Sequence, residues 1–384
     1  MPTIITARRL LTDIGSVEFP VLIVDDDGML EDISSDPTAL AHEEDTLTSA
    51  FFDIHTHGAM GHDVMSASPA DLREVQRFLA LRGVAQYLPT TVTTSVDSTL
   101  RALESLANAI EAEPEPLQAQ PRGIHLEGPF LSHAKRGVHP EKYLQKPSIE
   151  LFERFQQAAR GNICLLTIAP ELSGASELIS YATSQDVRCS LGHTNAVASE
   201  ALMGVAAGAS SATHTFNAMR ALDHREPGVL GVTLDNAHLY AELICDGVHV
   251  APELVRLWLR SKGAERAILV TDAMSAAGMP DGRYKLGELD VDVAEGTAML
   301  AGDPERGART LAGSVLTMDR AVANLQQFTG ATIAAATRLA SHNPAAMLGR
   351  PELTRLASGN PANLNRFDTS GHLVATYIRG ELVT

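Results

Sequence analysis

Phe51-Phe52-Asp53-Ile54-His55-Thr56-His57-Gly58 is the stretch on which the reading of this chain turns. It opens on apolar side chains, passes through a β-branched residue and closes on glycine, as a short buried strand running into a turn does. Residues two apart on a strand share a face, so His55 and His57 point the same way. Two imidazoles side by side at a strand end supply half of a metal site, and their nitrogens suit zinc, iron or nickel. A pair of satisfied polar residues explains them equally well, because two ligands do not define a site. The rest of the chain has to decide.

Outward from this strand the pattern alternates. Apolar, strand-like runs are predicted at 84–91, 123–129, 163–169, 187–192, 209–213, 239–244 and 267–270, making eight with the first. Helical spacing such as that of Leu72, Val75, Phe78 and Leu79 separates most of them. Strand–helix alternation implies parallel pairing, and eight units over roughly 220 residues suit a closed (β/α)8 barrel better than an open sheet. The two ends differ from this rhythm. Val21-Leu22-Ile23-Val24, bounded by Pro20 and by a turn at Asp25-Asp26-Asp27-Gly28, is strand-like, and so is 373–378 between Gly371 and Gly380. The expected fold class is therefore α/β: a (β/α)8 TIM barrel over 49–349, with a small β-sandwich domain built from 1–48 and 350–384. The segment 280–310 breaks the barrel rhythm; within it, 301–307 reads as a surface turn, inserted without a part in the chemistry.

Composition narrows the function. The 384 residues carry a net charge of −17, which offers no broad basic surface to nucleic acid or to an anionic membrane. A small phosphorylated ligand needs only a few local donors and is not excluded. Cys164, Cys189 and Cys245 are dispersed in apolar runs with no Cys-x-x-Cys pair, so reduced core thiols and a cytoplasmic location are expected. The N-terminal residues show no charged stretch followed by a long apolar one, so no signal peptide is expected, and no apolar run is long enough to span a bilayer.

The functional argument lies in how the strands end. The third ends in Glu127-Gly128-Pro129, the fifth in His193, the sixth in His214, the seventh in Asp246 with His249 close behind, and the eighth in Thr271-Asp272. In a barrel all these ends meet on one face, the face that carries the active site. Singly, each is a capping or turn residue. Together His55, His57, Glu127, His193, His214 and Asp272 form a ring of nitrogen and oxygen ligands at one depth, and buried polar groups must be satisfied by something. Metal binding becomes the better reading.

Finer motifs then carry a resemblance. His125-Leu126-Glu127-Gly128-Pro129-Phe130, Leu191-Gly192-His193-Thr194-Asn195-Ala196 and Thr213-His214-Thr215-Phe216-Asn217-Ala218-Met219 resemble the N-acetylglucosamine-6-phosphate deacetylase family of the amidohydrolase superfamily. So do Arg225-Glu226-Pro227-Gly228, Asp246-Gly247-Val248-His249, Val270-Thr271-Asp272-Ala273 and Leu311-Ala312-Gly313-Ser314. The resemblance implies that Glu127, His193 and His214 hold one divalent metal, most simply zinc, with iron(II) or another divalent ion as the variant. Because His55 and His57 are kept, it also implies room for a second metal, with Glu127 between the two. Asp272 is implied as general base and then general acid, and His139 as the residue that helps polarise the substrate carbonyl. Val138, Asn217, Ala218, Arg225, Asp246, His249, Leu311, Ala312 and Gly313 are implied in binding the sugar phosphate. The family further implies a homodimer, with Arg225 and His249 as candidates to reach across to the neighbouring subunit's phosphate. His125, two before Glu127 and so facing the same way, is expected to stand behind the metal ligands rather than bind metal itself. The expected activity is hydrolysis of the acetamide of N-acetylglucosamine 6-phosphate. A deacetylase for the galactosamine epimer and a non-catalytic scaffold are the alternatives. A cyclic-amide hydrolase is disfavoured because 163–169 holds no lysine for a carbamylated metal bridge.

Overall fold

The computed structural model describes residues 2–39, 44–302 and 310–384. Eight parallel strands form its centre: β1 (Phe51–Thr56), β2 (Val84–Pro89), β3 (Ile124–Glu127), β4 (Ile163–Ile168), β5 (Arg188–Leu191), β6 (Ser211–Ala212), β7 (Tyr240–Ile244) and β8 (Ala267–Val270). Each of β3 to β7 pairs in parallel with the strand that follows it, and β2 pairs with β1. Single parallel bridges, Thr90 to His125 and Thr56 to Ala273, join β2 to β3 and β1 to the end of β8. The ring closes. Every residue of β1, β2, β3, β4 and β8 is buried, as expected of parallel strands covered on both sides.

The helices start where local chemistry starts them. Pro69–Leu81 begins with proline in its first turn and a reciprocal cap between Ser68 and Asp71, and it buries Leu72, Val75, Phe78 and Leu79 against the barrel. Ser95 and Ser148 cap Val96–Glu111 and Ile149–Ala158 one way only, their side chains accepting the Ser98 and Leu151 backbone N–H groups. One core region gathers Phe51, Tyr87, Trp258 and Val270; another gathers Leu126, Phe152, Leu166 and Leu191.

Both ends of the chain contribute to the small β structure. Thr46–Ser49 pairs antiparallel with Leu364–Phe367 and parallel with Arg9–Thr12 in a six-stranded sheet. A second sheet holds Thr3–Thr6, Pro20–Val24 and Leu30–Ser35. Leu10 and Leu47 from the first sheet and Ile5, Leu22 and Leu30 from the second share one apolar layer, so the two sheets make a sandwich.

The insertion after β8 is more than a turn. Gly282–Leu286 (β9), Leu289–Ala294 (β10) and Thr297–Leu300 (β11) form an antiparallel sheet whose buried Leu286, Val291, Val293 and Ala298 pack with Val92, Met274 and Ala312. It is built into the wall of the cleft, contrary to the expectation of an insertion without a part in the site. Residues 303–307 of the expected turn lie outside the described residues.

Candidate active site

The chain turns sharply as it leaves three of the strands. His193, His214 and Asp272, the second residue after β5, the second after β6 and the second after β8, have φ of 47°, 28° and 49°. Non-glycine residues are rarely held in this left-handed region, and such strain clusters at functional sites. Here it aims each side chain at the barrel axis.

The six ring residues meet there. His193 Nε2 and His214 Nε2 are 3.0 Å apart, and each is 3.2 Å from Glu127 Oε1. Tetrahedral ligands at about 2.0–2.1 Å from a zinc ion stand roughly 3.3 Å from one another. The three atoms therefore have the spacing of a metal site with one position left open. Beside them, His57 Nε2 is 3.1 Å and His55 Nε2 3.4 Å from Asp272 Oδ1, and His57 Nε2 is 3.3 Å from Glu127 Oε2. Glu127 thus faces both groups, Oε1 towards His193, His214 and, at 3.6 Å, His55, and Oε2 towards His57. His55 Nε2 is buried with no hydrogen-bond partner of its own, an atom built for a ligand role.

Hydrogen bonds on the far side of each ring decide which nitrogen can coordinate. His57 Nδ1 donates to Thr90 O at 3.0 Å and His193 Nδ1 to Lys135 O at 3.0 Å, which leaves both Nε2 lone pairs facing the centre. His139 is the reverse. It stands close to Glu127 and His193, with Nε2 3.7 Å from Glu127 Oε2. Its Nδ1 accepts the Thr93 backbone N–H at 3.2 Å and lies 2.8 Å from Thr93 Oγ1. In the neutral ring the proton is then on Nε2, so His139 presents a donor to the cleft and not a ligand. Burial first, and then the neighbouring His193, lower its pKa to about 3 and keep it neutral.

Charge is arranged around the same centre. Burial works against charging His55 and His57, but the carboxylates prevail. Glu127 and then Asp272 hold His55 well above its ordinary range, and hydrogen bonds to Asp272 and Glu127 carry His57 up to about 9. Burial also opposes ionising Glu127 and Asp272, yet facing imidazoles, His55 foremost, hold both carboxyls below their usual range. A carboxylate field that draws protons onto these rings also draws a cation, and the two compete for the same lone pairs. Asp53, two residues before His55 on the same face of β1, is pushed up to about 6 by burial while it accepts a 2.5 Å hydrogen bond from Thr271 Oγ1.

The centre opens into a cavity of about 260 Å³, at the small end of ligand-sized clefts. Val138, His139, Asn217, Ala218, His249, Leu311 and Gly313 line it, together with ring members His57, Glu127, His193, His214 and Asp272. Three expected binding residues do not. Asp246 instead holds His249, accepting its Nδ1–H at 2.6 Å and its backbone N–H at 2.8 Å. Ala312 is wholly buried behind Leu311 and Gly313, because its side chain packs with the β9–β11 sheet. Arg225 is exposed and outside the cavity, its loop held by Asp223, which accepts the Arg225 N–H at 2.8 Å. His125 stacks edge-on to His55 and bonds to Thr167 Oγ1 at 2.8 Å. Leu286, Thr93 and Glu242 were not singled out by sequence. Of these, Glu242 carried a signal: a carboxylate inside the apolar run 239–245 needs a partner.

A model of the amidohydrolase family matches residues 46–383. The chain belongs to the amidohydrolase family. Within it, the chain is 33% identical to the N-acetylglucosamine-6-phosphate deacetylase of Vibrio furnissii over 98% of this chain and 94% of that one. It is 35% identical to the N-acetylgalactosamine-6-phosphate deacetylase of Escherichia coli O157:H7 over 100% of both. Among solved structures, a mutant of the Mycobacterium smegmatis N-acetyl-D-glucosamine-6-phosphate deacetylase in complex with N-acetyl-D-glucosamine-6-phosphate superposes with a TM-score of 0.92. That pair shares 32% identity over 100% of this chain and 99% of the other. The barrel with its β domain is thus the fold of this amidohydrolase. Among the described residues, no helix is long and apolar enough to cross a membrane.

Proposed function

We propose that this amidohydrolase cleaves the acetamide of N-acetyl-D-glucosamine 6-phosphate, giving D-glucosamine 6-phosphate and acetate. The observation that carries the reading is the six-residue ring: every position is filled by a competent ligand or base, at ligand spacing, in a chain that matches such deacetylases along its length. A scaffold that had abandoned catalysis would be free to lose these residues.

The donor set suits zinc or another divalent ion. Glu127, His193 and His214 would hold one, and His55, His57 and Asp272, with Glu127 between, a second. A cation there supplies Lewis acidity, easing deprotonation of the attacking water and polarising the acetyl carbonyl. Asp272, ionised in the resting site, takes the proton of the water as its oxygen adds to the carbonyl carbon. His139 donates its Nε2 hydrogen to the carbonyl oxygen as negative charge develops there. Asp272 then returns the proton to the departing nitrogen as the carbon–nitrogen bond breaks, leaving acetate and the amine. The sugar phosphate is bound along Asn217, Ala218, His249 and the 311–313 loop, with Asp246 fixing the His249 ring.

Arg225 is exposed and does not line its own chain's cavity, and Leu222 nearby in sequence is 54% exposed. These fit a homodimer in which Arg225 serves the neighbouring subunit's phosphate. Three free, buried thiols fit the cytoplasm. The galactosamine epimer is the second reading, favoured by the Escherichia coli relative that aligns over the whole of both chains.

The test is acetate release by zinc-loaded protein from N-acetylglucosamine 6-phosphate, its galacto epimer and the unphosphorylated sugar, beside Asp272→Asn. The gluco phosphate is expected to be the best substrate, with Asp272→Asn slower by about 10²- to 10⁴-fold. Faster turnover of the galacto epimer would move the assignment to it, and no acetate from either phosphate would overturn deacetylation.

A further inference from the structure

Glu242 lies in the middle of β7, wholly buried, on a strand otherwise made of Tyr240, Ala241, Leu243 and Ile244. A carboxylate in such a place costs several kcal/mol unless it is bonded to charged or donating groups. Among the described residues, no lysine or arginine pairs with it. What it touches is the metal centre. Its Oε2 accepts the Nδ1–H of His55 at 3.3 Å and the backbone N–H of His214 at 3.3 Å. Its Oε1 has no protein partner.

The other ligand rings differ in this respect. His57 and His193 donate Nδ1–H to neutral backbone carbonyls, Thr90 O and Lys135 O, and His214 Nδ1 has no hydrogen-bond partner. Only His55, of the four, gives its outer N–H to a carboxylate. That bond fixes the tautomer with the Nε2 lone pair facing Asp272 and Glu127, and it makes the imidazole a stronger electron donor. Glu242 meets His214 through backbone alone, so its effect on the ring chemistry falls on the His55 side.

We infer that Glu242 is a positioning residue for the cation held by His55, His57 and Asp272, and that it sets whether that second cation binds. The inference rests on the proposed reading of the ring as a two-cation centre. It concerns occupancy, whereas that reading concerns the reaction.

The test counts cations rather than turnover. Wild type, Glu242→Gln and Glu242→Leu are stripped with chelator, reloaded with Zn²⁺, passed over a desalting column and analysed for zinc per chain. Stepwise affinities come from competition with a chromophoric chelator. Wild type is expected to hold two cations. Glu242→Leu, which removes the acceptor, is expected to hold one. Glu242→Gln keeps an oxygen acceptor without the charge, and its second cation should bind about 10- to 100-fold more weakly with the first unchanged. Partial rescue by glutamine separates positioning from mere loss of fold, and circular dichroism of the stripped variants checks the fold directly. Two cations of unchanged affinity in both variants would overturn the inference while leaving the deacetylase reading intact. So would parallel weakening of both cations. A wild type that binds one cation overturns the inference alone, and one that binds none overturns the metal centre as well.

Discussion

Gly192→Ala puts the packing beneath the metal centre to a direct test. A Cβ on Gly192 would lie 2.7 Å from Thr167 Cγ2, 2.7 Å from Thr213 Cβ and 2.8 Å from Thr213 Oγ1. Carbon atoms rest about 3.5 Å apart, so roughly 0.8 Å has to be found against the strands on both sides. Neither threonine can swing away easily. Both are β-branched, and Thr213 Oγ1 already bonds to Thr167 Oγ1 at 2.8 Å and Ser190 Oγ at 2.7 Å. Gly192 precedes His193 and Thr213 precedes His214, so whichever backbone yields carries a ligand with it. Metal sites tolerate distance errors of only about 0.2 Å. Overpacking of about 1–3 kcal/mol, plus about 1 kcal/mol for a disturbed hydroxyl bond, predicts a loss of roughly 2–4 kcal/mol. Thermal unfolding with chelator present reads the stability, and zinc analysis after reloading reads the site. Gly282→Ala is the control, since its Cβ would meet nothing closer than a Tyr284 ring carbon at 3.5 Å. If Gly192→Ala melts with the control and holds a full complement of zinc, the packing argument is wrong.

Other outcomes follow from the same geometry. Asp272→Asn is expected to lower kcat by about 10²- to 10⁴-fold, as loss of a general base does, with a far smaller change in KM; steady-state kinetics decide. Arg225→Ala should raise KM for the phosphorylated sugar about 10- to 100-fold, the worth of a charge-assisted hydrogen bond, while the unphosphorylated sugar is unaffected. Chelation should stop turnover and lower the melting temperature, because a cation at 100 times its Kd stabilises by about 2.7 kcal/mol; scanning calorimetry at two zinc concentrations measures it. His342, half-buried with Nδ1 3.2 Å from Thr354 Oγ1, has its pKa lowered to about 4, chiefly by burial. The unfolded chain then binds more protons between about pH 6.5 and 4, so this stability is present above pH 6.5 and is lost as pH falls towards 4. His342→Gln should flatten that acid limb by up to about 3 kcal/mol in denaturant titrations at stepped pH. An unchanged limb would refute it.

The fold was legible because strand and helix periods alternate from β1 to β8 and because parallel strands buried on both faces read as continuous apolar runs. The metal ring was legible for a related reason. In a barrel the strand ends are the one place where histidines and carboxylates far apart in sequence must meet, so position relative to β3, β5, β6 and β8 locates them. What escaped had no such address. Glu242 sits within a strand and faces inward below the ring, and only its charge in an apolar run gave it away. The β9–β11 sheet was overlooked although Leu289-Asp290-Val291-Asp292-Val293 alternates with a strand's period. Whether such a hairpin lies against the cleft depends on packing with Val92 and Met274, which no local pattern encodes. The tautomer of His139 depends on the Thr93 N–H from another loop, so its role as donor rather than ligand emerges only in three dimensions.

The left-handed backbone at His193, His214 and Asp272 bears on how such a protein would drift. Each of these conformations costs on the order of 1–3 kcal/mol in a residue with a side chain, and asparagine or glycine would relieve much of it. Net stability of a folded chain is only about 5–15 kcal/mol, so the three together are a large fraction of it. A library of variants screened for heat resistance alone should accumulate asparagine and glycine at these three positions first. The fittest survivors of that screen would be the best folded and the least able to hold a metal.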